Sequence, residues 1–100
     1  MTFRTAQIRR KKRAKLFERQ GGICPICQNT IKWHACIQSE MPTLDHIIPK
    51  SMGGTYTMDN LRLVHWRCNN ERGNRLGLHP WADTPEVIVR ALLSLPEDVV

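Results

Sequence analysis

An aspartate and a histidine stand side by side in TLDHIIPKSMGG, residues 43–54, where an apolar run gives way to proline and paired glycines. Neighbouring side chains on a strand point to opposite faces, so Asp45 and His46 cannot both enter one apolar layer. Either the strand ends there with both groups solvated, or its end presents two titratable groups to a reaction site. A second set of reactive side chains flanks this pair. Cys24 and Cys27 form CPIC, and His65 and Cys68 form HWRC, with the same two-residue spacing in each. Two such pairs suit one tetrahedral zinc ion, which accepts thiolate and imidazole alike. The plainer alternative is a set of buried thiols with a solvated histidine, and the doubled spacing argues against it. His34 and Cys36 compete as ligands, since positions two apart on a strand share a face. The mirrored spacing favours His65 and Cys68. It leaves Cys36 as a buried thiol and His34 at the surface or the core edge.

A chain of 100 residues forms one domain with a modest core, for which a metal staple is in keeping. No apolar stretch follows the early charges, so no signal peptide is expected, and no run is long enough to cross a bilayer. These features place the chain in a reducing cytoplasm, where thiolates stay available to zinc. The net charge of +6 is unevenly spread: residues 1–20 hold eight Lys/Arg and one acid, and residues 21–100 hold seven and eight. The basicity is therefore an arm, densest in QIRRKKRAK, and polyanions are its natural partners. Its apolar residues, Ile8, Ala14, Leu16 and Phe17, form too thin a stripe for a membrane-surface helix.

Around the reactive residues the pattern predicts a helix over 5–20 ended by Gly21-Gly22, a tight knuckle at CPICQN, and a strand in TIKWHACI, residues 30–37. TLDHIIP reads as a short strand, KSMGGTYTMDN as a loop, LRLVH as the returning strand and WRCNNERGN as a helix ending near Gly73. Thr84-Pro85-Glu86 starts a last helix, with Ile88, Ala91, Leu92 and Leu95 on its apolar face and Pro96 as its stop. The result is a single α+β domain over 1–100: a basic helical arm (1–22), a zinc-bound core (23–75) and a C-terminal amphipathic packing helix (84–96). Trp33, Trp66 and Trp81 are assigned to packing rather than base stacking, and Glu71 and Asn74 to solvated surface.

Taken in order over residues 23–74, CPIC, LDHIIPKSMGG, DNLRLVH and CNNERGN resemble the HNH endonuclease family, and most closely its small zinc-containing forms common in phages and mobile elements. The resemblance implies a ββα-metal (His-Me finger) fold stapled by zinc at Cys24, Cys27, His65 and Cys68. It departs from the commoner pattern at His65, where the family more often shows cysteine. It implies His46 as general base, Asp45 as ligand of a catalytic Mg²⁺ or Mn²⁺, and Asn60 as the asparagine that ties the long loop. Asn69 takes the third signature position as a second ligand, which makes this an HNN variant. The implied activity is metal-dependent hydrolysis of DNA phosphodiesters, by nicking or double-strand cutting, in the cytoplasm of a bacterial host. The chain would act as a monomer or homodimer away from membranes, with a phage terminase or another DNA-processing protein as candidate partner. The contrasting reading is a catalytically inactive zinc-dependent nucleic-acid-binding accessory module, for example of a phage packaging complex. Candidate phosphate contacts are Arg9, Arg10, Lys11, Lys12, Arg13 and Lys15 on the arm, and Lys50, Arg67 and Arg72 in the core.

Overall fold

The computed structural model describes residues 3–96, so the first two residues of the basic arm and the last four of the chain lie outside the described residues. Helix α1 (Phe3–Arg19) leads into the cysteine knuckle, and strands β1 (Pro42–His46) and β2 (Leu61–His65) form an antiparallel hairpin. Helix α2 (Trp66–Arg72) leaves β2 without an intervening residue, and α3 (Pro85–Leu93) follows after a connection. A hairpin followed directly by a helix, beside a Cys/His cluster, is the ββα-metal arrangement.

Register pairs Thr43 with Val64, Asp45 with Arg62 and His46 with Leu61. Two strands alone are marginal in water, so both faces need cover. Every residue of β2 is buried, Arg62 included. Leu16 of α1 joins Ile26, Ile31, Leu63 and Val64 in the main core. Gln20, just past α1, occupies the outer edge of β2: its Oε1 accepts from the Leu63 N–H and its Nε2 donates to the Leu63 carbonyl, each at 2.8 Å. A side-chain amide thus takes the place of a neighbouring strand. The basic segment is consequently a helix docked on the hairpin and not a free arm.

Residues 30–37 form no strand, contrary to their composition. Thr30 makes a single bridge to Ile23, Ile31 turns into the core, and the chain turns at Trp33-His34. The Thr30 carbonyl faces the His65 ring rather than a strand neighbour. Helix α3 starts as its sequence indicates, with Thr84 Oγ1 accepting from the Val87 N–H at 3.3 Å and Pro85 in the first turn. It ends at Leu93, short of Pro96. Val87, Ile88, Ala91 and Leu95 pack on Ile47 and Ile48, while Leu92 is exposed. So α3 braces the chain just after His46 rather than the main core. Trp33 packs edge-on against Phe17 as assigned, whereas Trp81 stays largely exposed.

The loop between the strands is pinned where it leaves β1. Buried Asn60 accepts through Oδ1 from the Ile48 N–H at 2.8 Å and donates through Nδ2 to the carbonyls of Thr55 (2.8 Å) and Ile48 (3.2 Å). Gly54 passes so close that a Cβ there would overlap the Ile48 carbonyl oxygen. Asn60→Ala strips all three groups of their partner, and each orphaned buried group costs about 1–3 kcal/mol. A fall in melting temperature of at least about 5 °C is expected, with zinc retained. Thermal unfolding followed by circular dichroism measures it, and an unchanged midpoint would contradict this account of the loop.

Candidate functional site

Cys24, Cys27, His65 and Cys68 converge, with their ligand atoms all within 4.8 Å of one another. The knuckle is shaped by the Gln28 N–H donating to the Cys24 carbonyl at 2.8 Å and the Cys24 N–H donating to the Asn29 carbonyl at 2.9 Å. Gln28 takes a left-handed φ of 64° to close it. The other two ligands come from the last residue of β2 and the first turn of α2. His65 offers Nδ1, 3.3 Å from Cys27 Sγ, while its Nε2 lies 3.1 Å from the Thr30 carbonyl. A proton on Nε2 donated to that carbonyl leaves the Nδ1 lone pair for a metal. Arg67 donates to Cys68 Sγ at 3.4 Å and Cys27 Sγ at 3.7 Å, and its Nε donates to Glu40 at 2.9 Å. Three thiolates around Zn²⁺ carry one net negative charge, which this guanidinium offsets. Burial works against ionising Cys27, but the Asn29 backbone, the neighbouring thiols and His65 bring it down to about 7. Burial and the charge of Cys24 and Cys27 push Cys68 up to about 12. A cation beside Cys68 would reverse that rise, and three sulfurs with one imidazole nitrogen are a donor set that fits zinc.

His34 and Cys36 stand apart from this cluster. Both are exposed, and Cys36 Sγ lies 3.7 Å from the His34 carbonyl. The expectation of a buried Cys36 thiol fails because the chain turns outward where a strand was predicted.

At the free edge of β1 a cleft of about 190 Å³ is lined by Asp45, His46, Pro49, Lys50, Asn69 and Asn74. Strand alternation puts Asp45 and His46 on opposite faces, and the edge lets both reach the cleft. Asn69 directs Nδ2 at Thr43 Oγ1 (3.3 Å) and the Leu44 carbonyl (3.4 Å), so its own oxygen is the atom it has to offer. A carboxylate and an amide oxygen are hard donors of the kind Mg²⁺ and Mn²⁺ accept, and the open cleft has room for the waters these ions keep. His46 is half-buried, its Nε2 is enclosed without a partner, and its ring lies 5.8 Å from the Tyr56 ring, centroid to centroid. Nδ1 is therefore the nitrogen available to the cleft. Burial, then Lys50, holds the ring below the ordinary 6.5 against the pull of Asp45, so it is neutral near pH 7.

A second groove, about 290 Å³, opens from His46 toward α1 and includes Arg9, Arg13, Lys50 and Tyr56. Arg10, Lys11 and Lys15 are exposed on α1. The other expected phosphate contacts are engaged elsewhere. Lys12 donates to the Tyr56 carbonyl and sits 4.1 Å from the centre of that ring. Arg67 serves the thiols and Glu40. Arg72 is fully buried and cannot meet DNA. Its Nη1 donates to Asp45 at 3.2 Å and to the His46 carbonyl at 2.8 Å, its Nη2 to the Ile47 carbonyl at 2.7 Å, and its Nε to Asp83 at 3.3 Å. Arg62 bridges Asp45 and Asp83, each at 2.8 Å. Four charges thus alternate around a closed, buried ring. Burial raises the Asp83 carboxyl, but the Gly77 N–H and the two guanidiniums outweigh it and keep the group ionised. Asp83 and Tyr56 were not legible as site residues in the sequence; the cross-strand pairing of Asp45 with Arg62 was the only available signal, and it required the register.

The family model described as HNH endonuclease matches residues 24–75, just over half of the chain. No curated protein matches it. No helix among the described residues is long and apolar enough to cross a membrane. Protein purified without added zinc should carry close to one equivalent by metal analysis. Cys68→Ser should lose the ion and unfold, because zinc contributes on the order of 10 kcal/mol in small modules. Cys36→Ser should keep both zinc and fold, and loss of zinc from that variant would displace the site.

Proposed function

The chain belongs to the HNH endonuclease family, and on that premise we propose that it is a metal-dependent DNA endonuclease with His46 as general base. The observation that carries this reading is that a histidine, a carboxylate and an amide line one cleft. His46 Nδ1 takes the proton of the attacking water. Its other nitrogen is buried without a partner, and the loop pinned by Asn60 keeps the ring at the cleft edge. Asp45 and Asn69 would hold Mg²⁺ or Mn²⁺, which supplies positive charge against the phosphate and the departing 3′ oxygen. Arg9, Arg13 and Lys50 hold backbone phosphate in the adjoining groove, and the exposed cations of α1 add attraction without base readout.

One observation favours a second reading, a catalytically inactive DNA-binding module: Asp45 already accepts from two guanidiniums, which compete with a cation. Nicking of supercoiled plasmid with Mg²⁺ or Mn²⁺ separates the two. Wild-type protein should cut, and His46→Ala should lose about 10²- to 10⁴-fold in rate with zinc, fold and DNA binding kept. Asn69→Ala should lose cleavage that high Mn²⁺ partly restores, and Asn69→His should keep some activity. Asp45→Ala should also lose stability, since it abandons two buried guanidiniums. No cleavage of any DNA form by the wild type leaves the second reading standing.

DNA affinity offers an independent check on the groove. Replacing Arg9 and Arg13 by Gln should flatten the dependence of log K on log salt by about 0.9 for each phosphate that is no longer neutralised. An unchanged slope in filter-binding or anisotropy titrations would place the DNA-binding surface elsewhere.

A further inference from the structure

Arg62 and Arg72 set a difficulty for any cation near Asp45. Arg62 Nε lies 2.8 Å from Asp45 Oδ2 and Arg72 Nη1 lies 3.2 Å from Oδ1, and none of these side chains is more than 6% exposed. Two guanidiniums against one carboxylate leave a net positive charge, and with so little water it is poorly screened. Both arginines also hold backbone. Arg62 donates to the Ala82 carbonyl at 2.8 Å, and Arg72 holds the carbonyls of His46 and Ile47. The backbone just after the proposed base is therefore fixed by Arg72, a group whose charge repels the proposed cation.

Asp83 offsets that charge. Its Oδ1 accepts from Arg62 Nη2 at 2.8 Å, and its Oδ2 accepts from Arg72 Nε at 3.3 Å and from the Gly77 N–H at 2.8 Å. Its side chain is 0% exposed, so it is not itself a ligand in the cleft. It lies beyond the matched family region, directly before the Thr84 cap of α3. We propose that Asp83 is a positioning residue for the cation site: it draws Arg62 and Arg72 to its own carboxylate and brings the ring to neutrality, so that Asp45 keeps electron density for a divalent ion. This inference rests on the reading of Asp45 and Asn69 as cation ligands. It assigns a functional task to a residue outside the segment that carries the nuclease signature.

The test is Mn²⁺ binding to the zinc-loaded full chain, read from the electron paramagnetic resonance signal of free Mn²⁺. Asp83→Asn keeps shape and an acceptor for Gly77 but leaves the ring at +1. Half-saturating Mn²⁺ should rise at least about tenfold, with zinc content and circular dichroism unchanged. Arg62→Gln takes the ring to −1 and should bind Mn²⁺ more tightly than wild type. The double variant Arg62→Gln/Asp83→Asn is neutral again and should return to within about threefold of wild type, where purely structural damage would accumulate instead. Unchanged affinity in Asp83→Asn, or a double variant no better than the single one, overturns the role of Asp83. Should Asp83→Asn fail to fold, the double variant decides against Arg62→Gln: weaker Mn²⁺ binding in the double variant than in Arg62→Gln supports the role, and equal binding overturns it. A wild-type protein with no Mn²⁺ site sensitive to Asn69→Ala overturns the cation reading itself, and this inference with it.

Discussion

Three sulfurs and one imidazole nitrogen lie within 4.8 Å of one another, a concentration of donors that protons alone satisfy poorly. With a divalent ion among them, the same donors become a clamp between parts of the chain that are far apart in sequence. The clamp joins the knuckle at Cys24 and Cys27 to the point where β2 becomes α2. His65 is at once the last residue of β2 and the residue that precedes the first turn of α2. Fixing its ring through Nδ1, with Nε2 on the Thr30 carbonyl, fixes the direction in which the helix leaves the sheet. A two-stranded sheet has little stability of its own, so this junction governs the rest.

Helix α2 is short, and each of its inward positions has a task. Cys68 belongs to the metal cluster, Asn69 to the cleft and Arg72 to the buried ring. Residues three and four apart on a helix share a side, so a helix of two turns can serve all three. The ring is not there for stability in any simple sense, because burying charges costs much of what their pairing returns. Its contribution is positional: Arg72 holds the His46 and Ile47 carbonyls, and Asp45 is held between two guanidiniums at the edge of the cleft.

The flanking helices complete this arrangement from two sides. Helix α1 covers the hairpin with Leu16 and closes its edge with Gln20, and in doing so brings Arg9 and Arg13 beside His46. Helix α3 packs on Ile47 and Ile48, and the residue before its cap is the Asp83 of the ring. The basic groove and the cleft thus share a border at His46 and Lys50.

Spacing and residue type alone identified the cysteine and histidine ligands, the strand ending in Asp45-His46, the helix start at Thr84 and the concentration of charge in the first twenty residues. Those features are local: a two-residue spacing, a capping threonine and a charge run each act within a turn or two of chain. The partners of buried charges are not local. Arg72 reads as a surface cation in sequence because nothing within a few residues shows that Asp45 and Asp83 will enclose it. Residues 30–37 carry strand-forming types but have no strand beside them, since the Thr30 carbonyl faces His65 instead. Cys36 follows that turn outward to solvent. The basic segment is helical by propensity, yet only the Gln20–Leu63 pairing and the burial of Leu16 make it part of the domain. The residue types thus determined which chemistry the chain could carry, while long-range charge pairing and edge closure, which depend on register, decided which of those groups face the cleft.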